Sequence, residues 1–183
     1  DLMKLGQAVN DMALVTAGSG VALGLPQNFV AGGALQAGAT AATLPRASGY
    51  RAIISGSCSV ATNNQVAHCI KAGGAARALD TLTLATGGPE VERALAWAKP
   101  LLAQGPVLLY STAAPSEVQA IQSTLGAGVA GGMMEQALAA IARGLVDAGA
   151  GQLVVAGGET SGAVVQALGI EALRIGAQID PGV

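Results

Sequence analysis

The chain is 183 residues long, 51% hydrophobic but only 2% aromatic, with 27 glycines and a formal net charge of −2. That length fits one domain, or one domain with a piece of another. The acidic balance and the scarcity of rings leave neither a basic footprint nor a stacking platform for nucleic acid, and the core has to be Ala, Val, Leu and Ile packed closely round glycine, which favours helices lying on a parallel sheet of aliphatic strands.

In chain order, Met3, Leu5 and Val9 mark an opening helix and Ala13–Thr16 reads as a first strand. Between Met12 and Pro45 there is no charged residue. A membrane span needs about 20 mostly apolar residues in a row. Here Gly18-Ser19-Gly20, Pro26-Gln27-Asn28 and Gly32-Gly33 interrupt every candidate, so the stretch is expected to be buried or interface-covered and no membrane is implied. No basic region precedes an apolar run, so no signal peptide is read. The chain starts at Asp1 without an initiator Met and is expected to be a fragment or to have lost its start. Residues 30–48 are rich in Gly, Ala and Thr and weakly periodic. They predict a connector without long regular structure, separating residues 1–29 from a main sheet.

Further strands are predicted at Ala52–Ser55, Thr81–Ala85, Val107–Tyr110, Leu153–Ala156 and Leu173–Ile175. Thr62-Asn-Asn-Gln65 has the capping-box pattern, with Thr62 as N-cap of a helix running to about Lys71 and Gly73 just past its end. Pro89 fits the first turn of the next helix, whose stripe is Val91, Leu95, Ala98 and Leu102, with Trp97 beside it and Pro100 ending or kinking it. Pro115 opens a helix with Val118, Ile121 and Leu125 facing inward, and Met134, Leu138, Ile141 and Leu145 mark the longest one. Alternation of this kind predicts an α/β fold, a mostly parallel sheet of five or six strands with helices on both faces.

The inventory of reactive side chains is thin. Cys58 and Cys69 are the only cysteines; they match no zinc spacing and no disulfide framework, they read as small packing residues, and a reduced, cytoplasmic protein follows. His68, the only histidine, falls mid-helix and is expected to face solvent or a neighbouring helix. Glu90, Glu92, Glu135 and Asp147 sit on helices as solvated charges, and no Ser-His-Asp constellation can be assembled. No G-x-x-x-x-G-K-[ST] sequence occurs, so no P-loop is present. Gly18-x-Gly20-x-x-x-Gly24 has the wrong spacing for a dinucleotide fingerprint and lacks the acidic residue expected about 20 positions later.

What stands out is a set of small polar loops after predicted strands: Ala17–Gly20, Gly56–Ser59, Ser111-Thr112 and Gly157–Gly162. In an open parallel sheet, ligands bind beyond the carboxyl ends of the strands. An edge rich in backbone N–H and hydroxyl groups but poor in cations suits phosphate held by amides, a helix start and a metal ion. In Gly157-Gly-Glu-Thr-Ser-Gly162, the glycines permit close backbone approach, and Thr160 and Ser161 can cap the helix or donate to phosphate. Glu159 is the only acidic residue inside any of these loops; it can hold Mg2+ through a water, orient an amide or cap the helix.

The ordered set Gly18-Ser19-Gly20, Gly24-Leu-Pro, Gly56-Ser-Cys-Ser59 with Thr62 and Gln65, Gly157–Gly162, and Ile175-Gly with Pro181-Gly182 resembles the four-carbon acid sugar kinase family over nearly the whole chain. The resemblance implies a two-domain kinase using ATP with Mg2+ to phosphorylate the terminal hydroxyl of a tetronate such as 3-oxo-tetronate, threonate or erythronate. It implies that residues 1–29 are the tail of the N-terminal sugar-binding domain and residues 49–183 the nucleotide-binding domain. It places Ser57 and Gly157, Gly158, Glu159, Thr160, Ser161 and Gly162 on ATP or ADP; Ser59, Gly18, Ser19 and Gly20 are added as candidates from their strand-end loops, the catalytic base is left unassigned and a homo-oligomer open. Ala17 departs from the glycine common at that place, and the chain stops at Val183 where the family continues. The fragment is therefore expected to be inactive alone, its sugar acid bound by the missing N-terminal domain. Two other readings stay open: a non-catalytic module that binds a phosphorylated metabolite, and a dinucleotide-dependent oxidoreductase.

Overall fold

The computed structural model describes residues 1–36, 38, 43–112 and 127–177. By internal contact the chain divides into two units, residues 1–45 with the segment from Leu173 onward, and residues 46–172.

In the first unit, α1 (Leu2–Ala8) is followed by a 3₁₀ helix over Ser19–Gly24 and by α2 (Pro26–Ala31). Pro26 starts α2, where its missing N–H costs nothing. Side chains of α2 tie the helices together: Asn28 Nδ2 donates to Gly6 O at 2.6 Å, and Gln27 Nε2 to Met3 O at 2.7 Å. Ala13–Thr16, expected as a strand, has no regular structure and no sheet partner among the described residues. An aliphatic run becomes a strand only where a neighbour takes up its backbone hydrogen bonds. The same correction applies to Leu173–Ile175. In the stretch expected as a connector, α2 ends at Ala31 and residues 43–48 carry no regular structure.

The second unit is an α/β domain. Its strands are β1 (Tyr50–Ser55), β2 (Ala75–Ala78), β3 (Val107–Tyr110) and β4 (Ala150–Ala156), all parallel, in the order β2-β3-β1-β4. The central register sets Ile54 opposite Leu109 and Val155. Between the strands run α3 (Val60–Lys71), α4 (Thr81–Ala85), α5 (Glu90–Ala98) and α6 (Ala127–Asp147), and α7 (Gly158–Ala167) follows β4. The described residues hold four strands, one or two fewer than the pattern suggested.

The crossover from β1 to β2 passes β3 in one direction, and that from β3 to β4 passes β1 in the other. Right-handed connections then place α3 on one face and α4, α5 and α6 on the opposite face. On the second face Ala52, Ile54, Val107 and Leu109 pack with Ala94, Ala98, Leu138, Ile141, Leu145 and Val164, all buried. Leu138, Ile141 and Leu145 recur at helical spacing on α6, and burying each side chain contributes roughly 1.5–3 kcal/mol. The face that carries α3 is covered more sparsely. Along its row Ile53 lies between Leu108, which is buried, and Val154, which is 54% exposed.

Two segments change type. Thr81–Ala85, read as a strand, is helix α4. Asp80 decides this: its carboxylate accepts the N–H groups of Leu82 and Thr83 at 3.0 and 3.1 Å, which satisfies a helix start and overrides the β tendency of the threonines. The strand of that region is Ala75–Ala78, whose Ala and Arg have little strand preference and are held by pairing to β3. The helix predicted from Pro115 lies outside the described residues.

Glu90 is also corrected. It is not solvated but 1% exposed, and its carboxylate receives both bonds of a fork from Arg77 Nη2 at 2.9 and 3.1 Å, with the N–H of Asp80 at 3.2 Å. Pro89 stands one position before the first helical residue, at the N-cap.

Candidate functional site

The site is built where β1 and β4 end side by side. The N–H groups of Gly56 and Ser57 both donate to Ala156 O, at 3.0 and 3.2 Å, which draws the loop after β1 onto the end of β4. From there the chain leaves to opposite faces, α3 on one side and α7 on the other. Loops that part in this way open a crevice above the strand ends.

The β4 side is the turn into α7. Gly157 occupies the N-cap with φ 123°, a conformation that L side chains rarely adopt. No side chain caps this helix. The N–H groups of Gly158, Glu159 and Thr160 therefore have no protein partner among the described residues; the first intrahelical donor is Ser161 N, bonded to Gly157 O at 2.8 Å. Three free N–H groups at a helix start carry partial positive charge and attract an anion. A side chain built on Gly158 or on Gly162 would meet nothing within 4 Å, so the space above the turn is open.

Thr160 is 3% exposed. It makes no cap bond at the start of the helix. It lies against two glycines. A Cβ on Gly56 would collide with Thr160 Oγ1, and one on Gly157 would come within 3.0 Å of it. Glycine is required at Gly56 by that close approach. Glu159 is exposed in the first turn and makes no cap bond. Ser161 is half-buried.

The β1 side corrects the capping assignment. The N-cap of α3 is Ser59, not Thr62: Ser59 Oγ accepts the N–H of Thr62 at 3.2 Å. The helix starts earlier than the sequence pattern indicated because Ser59 and Thr62 stand three apart and satisfy each other. Gly73 falls just past the end of the helix with φ 78°, as expected. Thr62 is buried and bonds twice more through Oγ1, to Ser59 Oγ at 2.9 Å and to Ser57 Oγ at 3.1 Å.

At the end of β3, Thr112 is buried and Ser111 half-buried. Ser55 and Thr112 share a buried hydroxyl contact of 2.6 Å, and Ser111 N donates to Ser55 O at 2.9 Å. These contacts tie two strand ends together and commit the hydroxyls of Ser55 and Thr112 within the protein.

The remaining candidates fall elsewhere. Gly18, Ser19 and Gly20 belong to the first unit, with Gly18 at the N-cap of the 3₁₀ helix. Gly18 and Gly20 line a recess of about 480 Å³ whose other walls include Leu2, Leu5, Val9 and Met12. His68 is exposed near the end of α3. Cys58 sits in the loop after β1 and Cys69 on α3, both free and half-buried. Among the described residues there is no group of three His, Cys, Asp or Glu side chains placed to hold a metal ion, and no helix long and apolar enough to cross a membrane.

The crevice can therefore receive a small anion on backbone amides and hydroxyls. None of the loops that form it contains Lys or Arg, so negative charge there has to be met by N–H dipoles or by an accompanying cation.

Comparison with known proteins agrees with this chemistry. A family model described as a nucleotide-binding C-terminal domain matches residues 52–183. A protein of Burkholderia multivorans named 3-oxo-tetronate kinase is 53% identical over 183 residues, covering 100% of this chain and 42% of that protein. One of the same name from Pseudomonas fluorescens is 52% identical with the same coverage. A crystal structure of a Haemophilus influenzae protein from a family of domains of unknown function superposes with TM-score 0.75 at 34% identity, over 99% of this chain and 43% of that one. The chain thus spans about 42% of the length of the curated relatives it matches.

Proposed function

The chain belongs to the nucleotide-binding C-terminal domain family, and from that premise we propose that its second unit is the ATP-binding part of a kinase acting on the terminal hydroxyl of a four-carbon sugar acid. The substrate class comes from the relatives named 3-oxo-tetronate kinase; threonate and erythronate are the nearest alternatives. The observation that carries the reading is the open start of α7, with three unpartnered N–H groups in the turn that carries the buried Thr160, next to the loop that carries Ser57.

In this proposal Gly157, Gly158, Glu159, Thr160, Ser161 and Gly162 form the phosphate cradle, and Ser57 and Ser59 face it from β1. The amides of α7 hold the β- and γ-phosphates in one orientation, which is most of what phosphoryl transfer asks of a protein. The donor set suits a polyphosphate, because amides aimed at fixed points lose little on reorganisation when charge shifts. Mg2+ fits as a companion of the nucleotide. Glu159 is the one carboxylate in these loops, and Mg2+ is commonly held by one or two carboxylates with phosphate oxygens and water. When bound, the ion would neutralise charge on the transferring phosphoryl group. The base that accepts the hydroxyl proton belongs, in this reading, to the sugar-binding part of the longer protein. Assigning Gly18, Ser19 and Gly20 to the ligand rests on sequence pattern alone.

Residues 1–29 are read as the tail of that sugar-binding domain and residues 30–48 as the connector. Large apolar side chains left bare in the first segment, Leu14 at 85% and Phe29 at 54% exposure, support a unit completed by further chain. A cytoplasmic enzyme is part of the same proposal.

The test is calorimetric titration of the 183-residue chain with ADP, with and without Mg2+, and with NAD as control. Binding of ADP strengthened by Mg2+ is expected, with no phosphorylation of 3-oxo-tetronate by the chain alone. Failure to bind ADP would overturn the reading. NAD binding would favour an oxidoreductase, and a sugar phosphate bound in place of ADP a non-catalytic module.

A further inference from the structure

We infer that Thr62 is a positioning residue that aims the hydroxyl proton of Ser57 into the crevice. The inference rests on the nucleotide reading of the site and goes beyond it, because Thr62 lies on α3 and its sequence assigns it a place in the family pattern and a helix cap but no role toward the ligand.

The argument is a count of protons. Thr62 Oγ1 donates to Ser57 Oγ at 3.1 Å, and Ser59 N donates to the same oxygen at 3.3 Å. A hydroxyl has one proton and two acceptor positions. Both acceptor positions of Ser57 are thus filled from within the protein. Thr62 has a single proton, and it is committed to Ser57. The 2.9 Å contact between Thr62 Oγ1 and Ser59 Oγ must then be made with the proton of Ser59. Ser59 Oγ in turn accepts the N–H of Thr62 at 3.2 Å, so its geometry is set by the helix start. The hydrogen bonds run in one direction, Ser59 to Thr62 to Ser57.

Ser57 stands at the end of this relay with its own proton unspent, since no acceptor for it is present among the described residues. Its N–H is already bonded to Ala156 O, which fixes the backbone beside the start of α7. A hydroxyl that accepts two hydrogen bonds is polarised toward donating a third, since bonds in a chain reinforce one another. Thr62 is 8% exposed, so it reaches a ligand only through Ser57. Asn63 holds the same loop from the helix side, donating to Cys58 O at 3.2 Å and to Ser59 O at 3.1 Å. The loop backbone therefore keeps its shape when the Thr62 hydroxyl alone is removed.

The experiment is a double-mutant cycle read as ADP affinity, with a thermal melt of each protein, on the full chain. Thr62→Val removes the hydroxyl while keeping the side-chain shape, and is expected to weaken ADP binding by about three- to tenfold. Thr62→Ser, which retains the hydroxyl, restores most of it. In the Ser57→Ala background, Thr62→Val has no further effect, because the oxygen through which it acts is gone. A loss of affinity that is the same in both backgrounds would overturn the inference, as would a Thr62→Val chain that melts normally and binds ADP as the parent does. If Ser57→Ala leaves ADP affinity unchanged, Ser57 is no ligand donor, and the relay falls together with that part of the nucleotide reading.

Discussion

Thr160 Oγ1 on α7 occupies the space that a methyl group on Gly56 would need at the end of β1. The contact joins the two loops of the crevice at their base, and no hydrogen bond is involved. It explains why glycine follows β1 and why the Thr160 side chain, though buried, makes no cap bond.

Gly56→Ala is therefore expected to push the start of α7 away from β1. Overpacking of this kind costs about 1–3 kcal/mol, visible as a lowered melting temperature. ADP affinity should fall with it. Adding Thr160→Ala should recover part of the stability, because the oxygen that collides is gone. Equal losses with and without Thr160→Ala would contradict the contact.

Gly158 and Thr160 separate binding from folding. A side chain at Gly158 meets no protein atom within 4 Å, so Gly158→Val should fold and melt close to the parent chain. It should lose ADP binding if phosphate approaches that backbone. Thr160→Ala removes a hydroxyl that makes no cap bond, and the expected loss is in affinity, roughly ten- to a hundredfold for a bond to a charged phosphate. Calorimetry and melts on the same samples check both. Unchanged ADP affinity in both variants would return this loop to a merely structural turn.

Arg77 and Glu90 should matter for stability and not for ligand. Arg77→Ala strands the 1% exposed Glu90 without its half-buried partner, and a buried carboxylate left uncompensated costs about 3 kcal/mol. Glu90→Gln should cost less, about 1–2 kcal/mol, because an amide oxygen still accepts the N–H of Asp80. Denaturant unfolding measures the difference, and Glu90→Gln proving the worse of the two would reverse the assignment.

Asp80 gives a pH signature. The hydroxyl of Thr83, at 2.7 Å, with the N–H groups of Thr83 and Leu82, holds its carboxyl below the ordinary value. A carboxylate with a depressed folded-state pKa stabilises the fold above its unfolded pKa of about 3.9 and loses that contribution as pH falls through the lower folded value. The gap in melting temperature between the parent chain and Asp80→Ala should stay constant from pH 7 to about pH 5 and close below about pH 4. A gap that widens in acid would refute the cap.

The sequence by itself determined the class of the fold and the loops that follow β1 and β4. Val107–Tyr110 and the end of β4 were legible because a strand of a parallel sheet is a plain aliphatic run, and the spacing of Leu138, Ile141 and Leu145 is local to one helix. The glycines and hydroxyls of the strand-end loops were legible for the same local reason. Tertiary structure decided what depends on a partner distant in the chain. Ala75–Ala78 is a strand only because β3 pairs with it, and Ala13–Thr16 is none because no described residue does. Glu90 is buried because Arg77, thirteen residues away, turns its guanidinium onto it. Thr62 is a relay and not a cap because Ser59, three residues before it, takes the cap, and because the loop after β1, drawn onto β4, carries Ser57 back to it. Composition and periodicity record what a residue does to its own segment; which oxygen is left with a proton to give is settled only when the strand ends have been set side by side.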